Sequence, residues 1–476
     1  MSDRRQNSGN SARPARAPRP QQSVQPARLV AYEVIAAVRE SDSYANLLLP
    51  SRIQRARLNS ADAALATELT YGTLRMQGFY DKVIELVADR TVDKIDPAVL
   101  DVLRLGAHQL LATRVATHAA VNESVALASQ VASRSATGFT NGVLRTISRS
   151  SLEEWRGWVQ DETEGTDEKL AVLHSHPAWV VRALRTALEA EGRGAELEQL
   201  LEADNAAPKV NLAALPGLVE SADAAGLGDA NHFSPIGFEL SGGDPLGVTD
   251  RFGGAVRVQD EGSQLAALAL SRAEPVQPGE RWLDLCAGPG GKAALLAAEA
   301  RLGEATLIAN ELVPARAGLV RNALAGVPGD VPVWELDGTT IGAVHPAEFD
   351  RILLDAPCTG LGALRRRPEA RWRKSPGDVA ELSVLQGKLF DAAFQALKPG
   401  GILAYVTCSP HLGETLGTLN GAVARWGDAL EQLPTRDILD GIAANPLDIG
   451  GNGLTAQLWP HRHGTDAMFI ALVRKR

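Results

Sequence analysis

A cysteine closes each of two apolar, strand-like runs in the C-terminal half of this 476-residue chain: Cys358 follows "FDRILLDAP" (349–357) and Cys408 lies in "GILAYVTCS" (401–409). Where strands alternate with helices the sheet is parallel, and ligands bind at the carboxyl ends of its strands. Both thiols are therefore expected in one cleft. The only other cysteine is Cys286, and no CxxC pair occurs. That argues against a disulfide framework and against a thiolate zinc site, and it implies a reducing compartment. A thiolate adding to carbon 6 of a pyrimidine breaks the ring's conjugation and makes carbon 5 enamine-like, able to attack an electrophilic methyl group. The attacking thiol must ionise below its free value of about 8.5. Asp355, in "DAPC", is the acid placed to hydrogen-bond to ring nitrogen 3. The base itself must be unstacked into the pocket. Residue chemistry alone does not choose between the two thiols as nucleophile.

A glycine-rich turn, "DLCAGPGGK" (284–292), joins an earlier strand candidate, "RWLDLCA" (281–287), to the apolar helix "AALLAAEARLG". Glycines there let the backbone turn tightly and approach a ligand. A dinucleotide fingerprint from Gly288 would need glycine at 293, where Ala293 stands. A phosphate loop ending at Lys292 would need glycine at 286 and a hydroxyl residue at 293, where Cys286 and Ala293 stand. Glu311 ends the next strand candidate, "ATLIANEL" (305–312), and can accept from two ribose hydroxyls; Asp337 ends "VPVWELD" (331–337) and can accept from an adenine amino group. Acids at strand ends with few basic residues suit a nucleoside without phosphates, and S-adenosylmethionine is such a ligand.

The elements that position these residues sort into an organisation along the chain. Residues 1–24 have no apolar periodicity and read as a disordered basic tail. Residues 25–155 read as all helical: "ARLVAYEVIAAVRES" places Leu29, Val30, Val34 and Val38 on one face, and Ser60 is a candidate N-cap for the helix that follows it. The acidic stretch "WVQDETEGTDEK" (158–169) reads as a linker, and residues 166–250 as a small α+β connecting module. From 251 to 476 strands and helices alternate, which predicts a mostly parallel sheet covered on both faces. Its long helix opens at Ser375 and Pro376, and "LTAQLWP" and "DAMFIALVRK" supply its last strands.

Five segments, "VQDEGSQLAA", "LDLCAGPGGK", "LLDAPCTGLGALRRRPEARW", "LKPGGILAYVTCS" and "GTDAMFIALVRK", together resemble the Sun/Fmu (RsmB-type) RNA cytosine-5 methyltransferases. Upstream, "ELTYGTLR", "LRLGAHQLL", "HAAVNESVALA" and "FTNGVLR" resemble the NusB-like RNA-binding domain fused to the RsmB branch. The resemblance covers nearly everything after the tail. It implies a Rossmann-like class I methyltransferase domain with a mostly parallel seven-stranded sheet. It further implies S-adenosylmethionine held by Cys286, Ala287, Gly288, Pro289, Gly290, Gly291, Lys292, Glu311, Asp337 and Asp355. The nucleophile it implies is Cys408 of the TCS motif, with Cys358 assisting product release. The family commonly has CAAPGGK and PCSG where this chain has "CAGPGGK" and "PCTG", and two adjacent acids after TCS where this chain has Glu414 alone.

The net charge of −9 does not advertise a nucleic-acid binder, so local clusters matter more. Arg4, Arg5, Arg13, Arg16, Arg19 and Arg28 mark the tail. Arg365, Arg366, Arg367, Arg371, Arg373 and Lys374 directly follow the Cys358 loop and are expected to contact RNA near the unstacked base. His461 and His463 read as surface or loop histidines, with no metal site expected. The substrate class that emerges is small-subunit ribosomal RNA, unassembled or partly assembled, acted on by a cytoplasmic monomer without membrane contact. Transfer RNA methylation and a non-catalytic RNA-binding assembly role are the alternatives.

Overall fold

The computed structural model describes residues 24–41, 43–219, 223 and 226–476; the expectation for the tail lies almost wholly outside them. Seven α-helices, from Pro26–Ser41 to Ala136–Ile147, form the helical region. The periodicity of the first is realised as a buried face of Val30, Val34, Ile35 and Val38, packed on Leu69 and Leu105. The helix Ser60–Arg75 is capped one residue earlier than expected: Asn59 accepts from the Asp62 amide, and an amide side chain serves that position as well as a hydroxyl.

The supposed acidic linker is mostly helical. Leu152–Asp161 opens with a capping box between Ser151 and Glu154, and it buries Trp155 and Val159 in the same core as Phe79 and Leu144. Its polar residues face solvent, and only a short turn separates it from the helix Thr166–Leu173. The connecting module then adds an antiparallel sheet of β1 (Asn211–Ala214), β2 (Gly228–Ala230), β3 (Gly237–Leu240) and β4 (Val256–Val258), in the order β2-β3-β1-β4. Because β4 pairs with β1, this module takes a strand from beyond residue 250.

The C-terminal sheet has eight strands: β5 (Arg281–Asp284), β6 (Thr306–Asn310), β7 (Val333–Trp334), β8 (Phe349–Asp355), β9 (Leu397–Thr407), β10 (Leu430–Gln432), β11 (Thr455–Gln457) and β12 (Phe469–Lys475). Its order is β10-β12-β9-β8-β5-β6-β7, with β11 on β12. The pairs β6–β7, β5–β6, β5–β8 and β8–β9 are parallel, and β12 runs antiparallel to its neighbours. Alternate residues supply the two faces: Leu353, Ile402, Ala404, Val406, Ile470 and Leu472 enter one core, Ile352, Leu354, Leu403, Tyr405, Ala471 and Val473 the other. Strand β10, three residues long, was not foreseen.

The arginine-rich segment after β8 is largely buried. Arg371 has no exposed surface; it donates to the Ser175 carbonyl (2.9 Å), the Asn205 side chain (2.8 Å) and, at longer range, the Asp204 and Arg75 carbonyls. Arg373 donates to the Val38 and Ser43 carbonyls, and the Glu369 carboxylate accepts from the Ala45 amide at 3.0 Å. Arg365 and Arg366 pair with Asp466, and Arg366 also with Asp260. The expected RNA-facing run is therefore, for most of its members, a seam joining the helical region, the connecting module and the sheet domain. A buried guanidinium keeps its charge only where carbonyls and carboxylates saturate its fork.

His461 and His463 are also structural. His463 is buried and accepts from the Trp459 amide, while His461 bonds to Glu196. Among the described residues no cluster suited to a metal ion occurs, and no helix is long and apolar enough to cross a membrane.

Beneath the seam, His176 Nδ1 donates to the His174 carbonyl, leaving its Nε2 lone pair facing Asp204 at 3.6 Å. Burial pushes the Asp204 carboxyl up to about 7 and holds His176 well below its ordinary value. An acid raised in the folded state costs stability as pH rises from its unfolded value, near 4, to its folded one. Asp204→Asn should therefore gain on the wild type between pH 4 and 7 and hold a constant advantage above that, read from denaturation midpoints across the range.

Candidate active site

Parallel pairing of β8 with β9, in register from Arg351 with Ile402 to Asp355 with Val406, brings the two following loops together. The sulfurs of Cys358 and Cys408 lie 3.4 Å apart, in the one cleft expected from neighbouring strand ends. Gly362 fixes the approach: its amide donates to the Cys408 carbonyl (2.9 Å), and a Cβ there would stand 2.1 Å from the Ala467 carbonyl oxygen.

Glu414 locks the loops from below. Its carboxylate, with no exposed surface, accepts from the Thr359 amide (2.7 Å), the Thr359 hydroxyl (2.5 Å), the Ser409 hydroxyl (2.6 Å) and Gln386 (3.3 Å). One residue after Cys358 and one residue after Cys408 are thereby tied to a single acid. The sequence carried this signal only as the lone acid after the TCS motif.

The electrostatics of the thiols differ. Donation from Cys358 holds Cys408 below the ordinary thiol value, against burial and Asp355, with help from the Lys292 and Arg367 cations. Cys358 is raised well above it, first by Cys408 and then by burial. Cys286, in the turn below, is raised by burial and by Asp284. Lys292 donates to Asp355 at 2.8 Å, and this carboxylate holds the ammonium charged despite its burial.

The turn from Cys286 to Lys292 leads from β5 into the helix Gly291–Leu302. Glu311 follows β6 and accepts from the Gly288 amide (3.1 Å) and the Val313 amide (3.1 Å). A Cβ on Gly288 would stand 2.2 Å from that carboxylate, so a larger residue would push the Glu311 side chain off this turn. Asp337 is exposed and caps the turn after β7, accepting from the Thr339 amide through one oxygen. Asp284 was not singled out from the sequence. It is buried beside this turn with neither carboxylate oxygen bonded, and burial and Asp355 push it up to about 8. An unpartnered buried acid next to a glycine-lined turn fits a ligand bearing an ammonium group or other donors. The residues present thus fit S-adenosylmethionine.

A parallel sheet with a reversed strand beside β9, a glycine-rich turn and acids at its strand ends and a helical domain in front define a Rossmann-like methyltransferase fused to a NusB-like module. The chain belongs to the RsmB/F family of 16S ribosomal RNA methyltransferases. The family model for 16S rRNA methyltransferase RsmB/F matches residues 273–474, and that for the NusB family residues 25–149. A protein of Mycobacterium tuberculosis strain H37Rv is 45% identical across 97% of this chain and 99% of its own length. Ribosomal RNA small subunit methyltransferase B of Pseudomonas putida is 32% identical across 85% of this chain and 90% of its own. The crystal structure of PH0851 superposes with a TM-score of 0.77 at 21% identity, covering 96% of this chain and all of that one (100%). This family and fold imply S-adenosylmethionine as the methyl donor.

The thiol asymmetry is measurable without substrate. Alkylation of Cys408 by iodoacetamide should titrate below the ordinary thiol range of about 8.5. In Cys358→Ala the largest stabiliser of its thiolate is gone, so the midpoint should move up. Glu414→Ala should do the same by letting the two loops separate.

Proposed function

We propose that the enzyme methylates carbon 5 of a cytosine in small-subunit ribosomal RNA, with Cys408 as nucleophile. The observation that carries this reading is the 3.4 Å approach of the Cys408 and Cys358 sulfurs at the ends of neighbouring strands, with the Lys292–Asp355 pair alongside. Cys286 to Lys292, Glu311, Asp337 and Asp355 would hold S-adenosylmethionine, and Asp284 would meet its ammonium. When bound, the donor supplies a methyl group made electrophilic by its sulfonium.

The Cys408 thiolate adds to carbon 6 of the unstacked cytosine, forming a carbon–sulfur bond and pushing an electron pair towards carbon 5. As charge accumulates at ring nitrogen 3, Asp355 relays a proton there from the Lys292 ammonium that donates to it, and takes it back when the ring is restored. Once carbon 5 carries the methyl group, its proton must leave before the carbon–sulfur bond can break. The largest cause of the high Cys358 pKa is its bond to Cys408. Conversion of Cys408 to a thioether removes that cause, and Cys358 then becomes easier to ionise. Having lost its own proton to solvent, Cys358 can as a thiolate take the carbon 5 proton as the double bond re-forms and the Cys408 thiolate departs. The two thiols thus exchange roles through one contact.

Transfer of a tritiated methyl group to unmethylated small-subunit RNA tests this, with transfer RNA as a parallel substrate. Cys408→Ala should lower transfer by at least about a thousand-fold, as loss of a covalent nucleophile does, and form no adduct. Cys358→Ala should trap a protein–RNA adduct stable to denaturing electrophoresis. An adduct that disappears only with Cys358 would reverse the assignment, and transfer confined to transfer RNA would replace the substrate.

A further inference from the structure

Of the basic residues from 365 to 374, Arg367 is the exposed one, while its neighbours are wholly or partly buried in the seam. Among the described residues it joins no ion pair of its own. Its guanidinium carbon lies over the ring of Tyr44, 5.4 Å from the centroid. Tyr44 belongs to the helical domain, is 36% exposed and immediately precedes the helix Ala45–Ala56, whose first amide is held by Glu369. Arg373, 5.1 Å from the same centroid, braces the ring by donating to the Val38 and Ser43 carbonyls. The Arg367 amide donates to the Ala363 carbonyl at 3.0 Å, next to Gly362 on the Cys408 carbonyl, which places this arginine on the segment that walls the thiol cleft, and its charge is among those that hold Cys408 low.

These contacts put an exposed planar cation at the cleft, between the catalytic loop and the helical domain. The other arginines spend their donors on carbonyls and carboxylates of the protein, whereas Arg367 is backed by an aromatic ring. Such a ring restrains the guanidinium and leaves it open to solvent, and guanidinium planes and aromatic rings are the surfaces on which unpaired RNA bases stack. An enzyme that unstacks one base leaves its neighbour without a partner, and a surface at the cleft mouth can take it. We propose that Arg367, propped on Tyr44, is a stacking subsite for the unpaired nucleotide that flanks the target base. The helical domain thereby contributes a side chain to substrate recognition at the active site. This rests on the RNA methyltransferase reading above.

The test is the dissociation constant for unmethylated small-subunit RNA, measured by filter retention with the full chain carrying Cys408→Ala so that covalent capture is absent. Arg367→Ala should weaken binding about ten-fold, within the range for one stacked base. Arg367→Lys, which keeps the charge and loses the plane, should weaken it nearly as much. Tyr44→Ala should act like Arg367→Ala, the double variant should be no worse than either, and Tyr44→Phe should bind within about two-fold of the parent. Unchanged binding in Arg367→Ala overturns the proposal, as does full rescue by Arg367→Lys, which would make the contact one of charge with phosphate. Arg367 is exposed and outside the core, so that pair remains decisive if Tyr44→Ala fails to fold. Failure of the parent enzyme to methylate RNA would instead strike the functional reading and leave the binding result standing.

Discussion

A carboxylate removed entirely from solvent must be met by donors, and Glu414 is met by two hydroxyls, a backbone amide and a side-chain amide, all from the loops after β8 and β9 or the helix Pro376–Ala396. An isolated charge in such a position would cost several kcal/mol. The loops after β8 and β9 are therefore held in the one arrangement that satisfies the acid, and that arrangement sets the thiols against each other. The chemistry proposed for the site depends on their contact. In that chemistry one sulfur must lose its proton while the other keeps it, and a single 3.4 Å contact couples the two.

The same segment that bears Cys358 continues into the seam. Within a few residues it passes from Thr359 on Glu414, through Gly362 on the Cys408 carbonyl, to Arg371 among the carbonyls of the connecting module. Loop geometry and module packing are thus mechanically continuous. Removing a donor at either end would leave its buried acceptor unpaired.

Much of the site was legible because it rests on local rules. Apolar runs ending in glycine, acid or cysteine marked the carboxyl ends of β5, β6, β8 and β9, and parallel order brought those ends together. What escaped has physical reasons. Asp284 looks in sequence like any residue of a buried strand, and only the absence of a partner distinguishes it. The helix Leu152–Asp161 buries so few residues that its composition reads as a linker. The arginine run misled most: a line of like charges usually faces water, and here its carbonyl and carboxylate partners come from distant parts of the chain. Local pattern carries no record of such partners, so it could not separate Arg371, sealed in protein, from Arg367, four positions earlier and open to solvent.

Those distances in sequence bear on how the molecule is assembled. Arg373 and the Val38 carbonyl are 335 residues apart, and Arg371 and the Ser175 carbonyl 196. A ribosome releases the N-terminal helices long before the catalytic loop, and domains generally fold in that order. The carbonyls that receive the arginines are thus in place as a template when the loop emerges. The methyltransferase domain then finishes folding against an existing surface, so a nascent chain brings Cys358 and Cys408 together last.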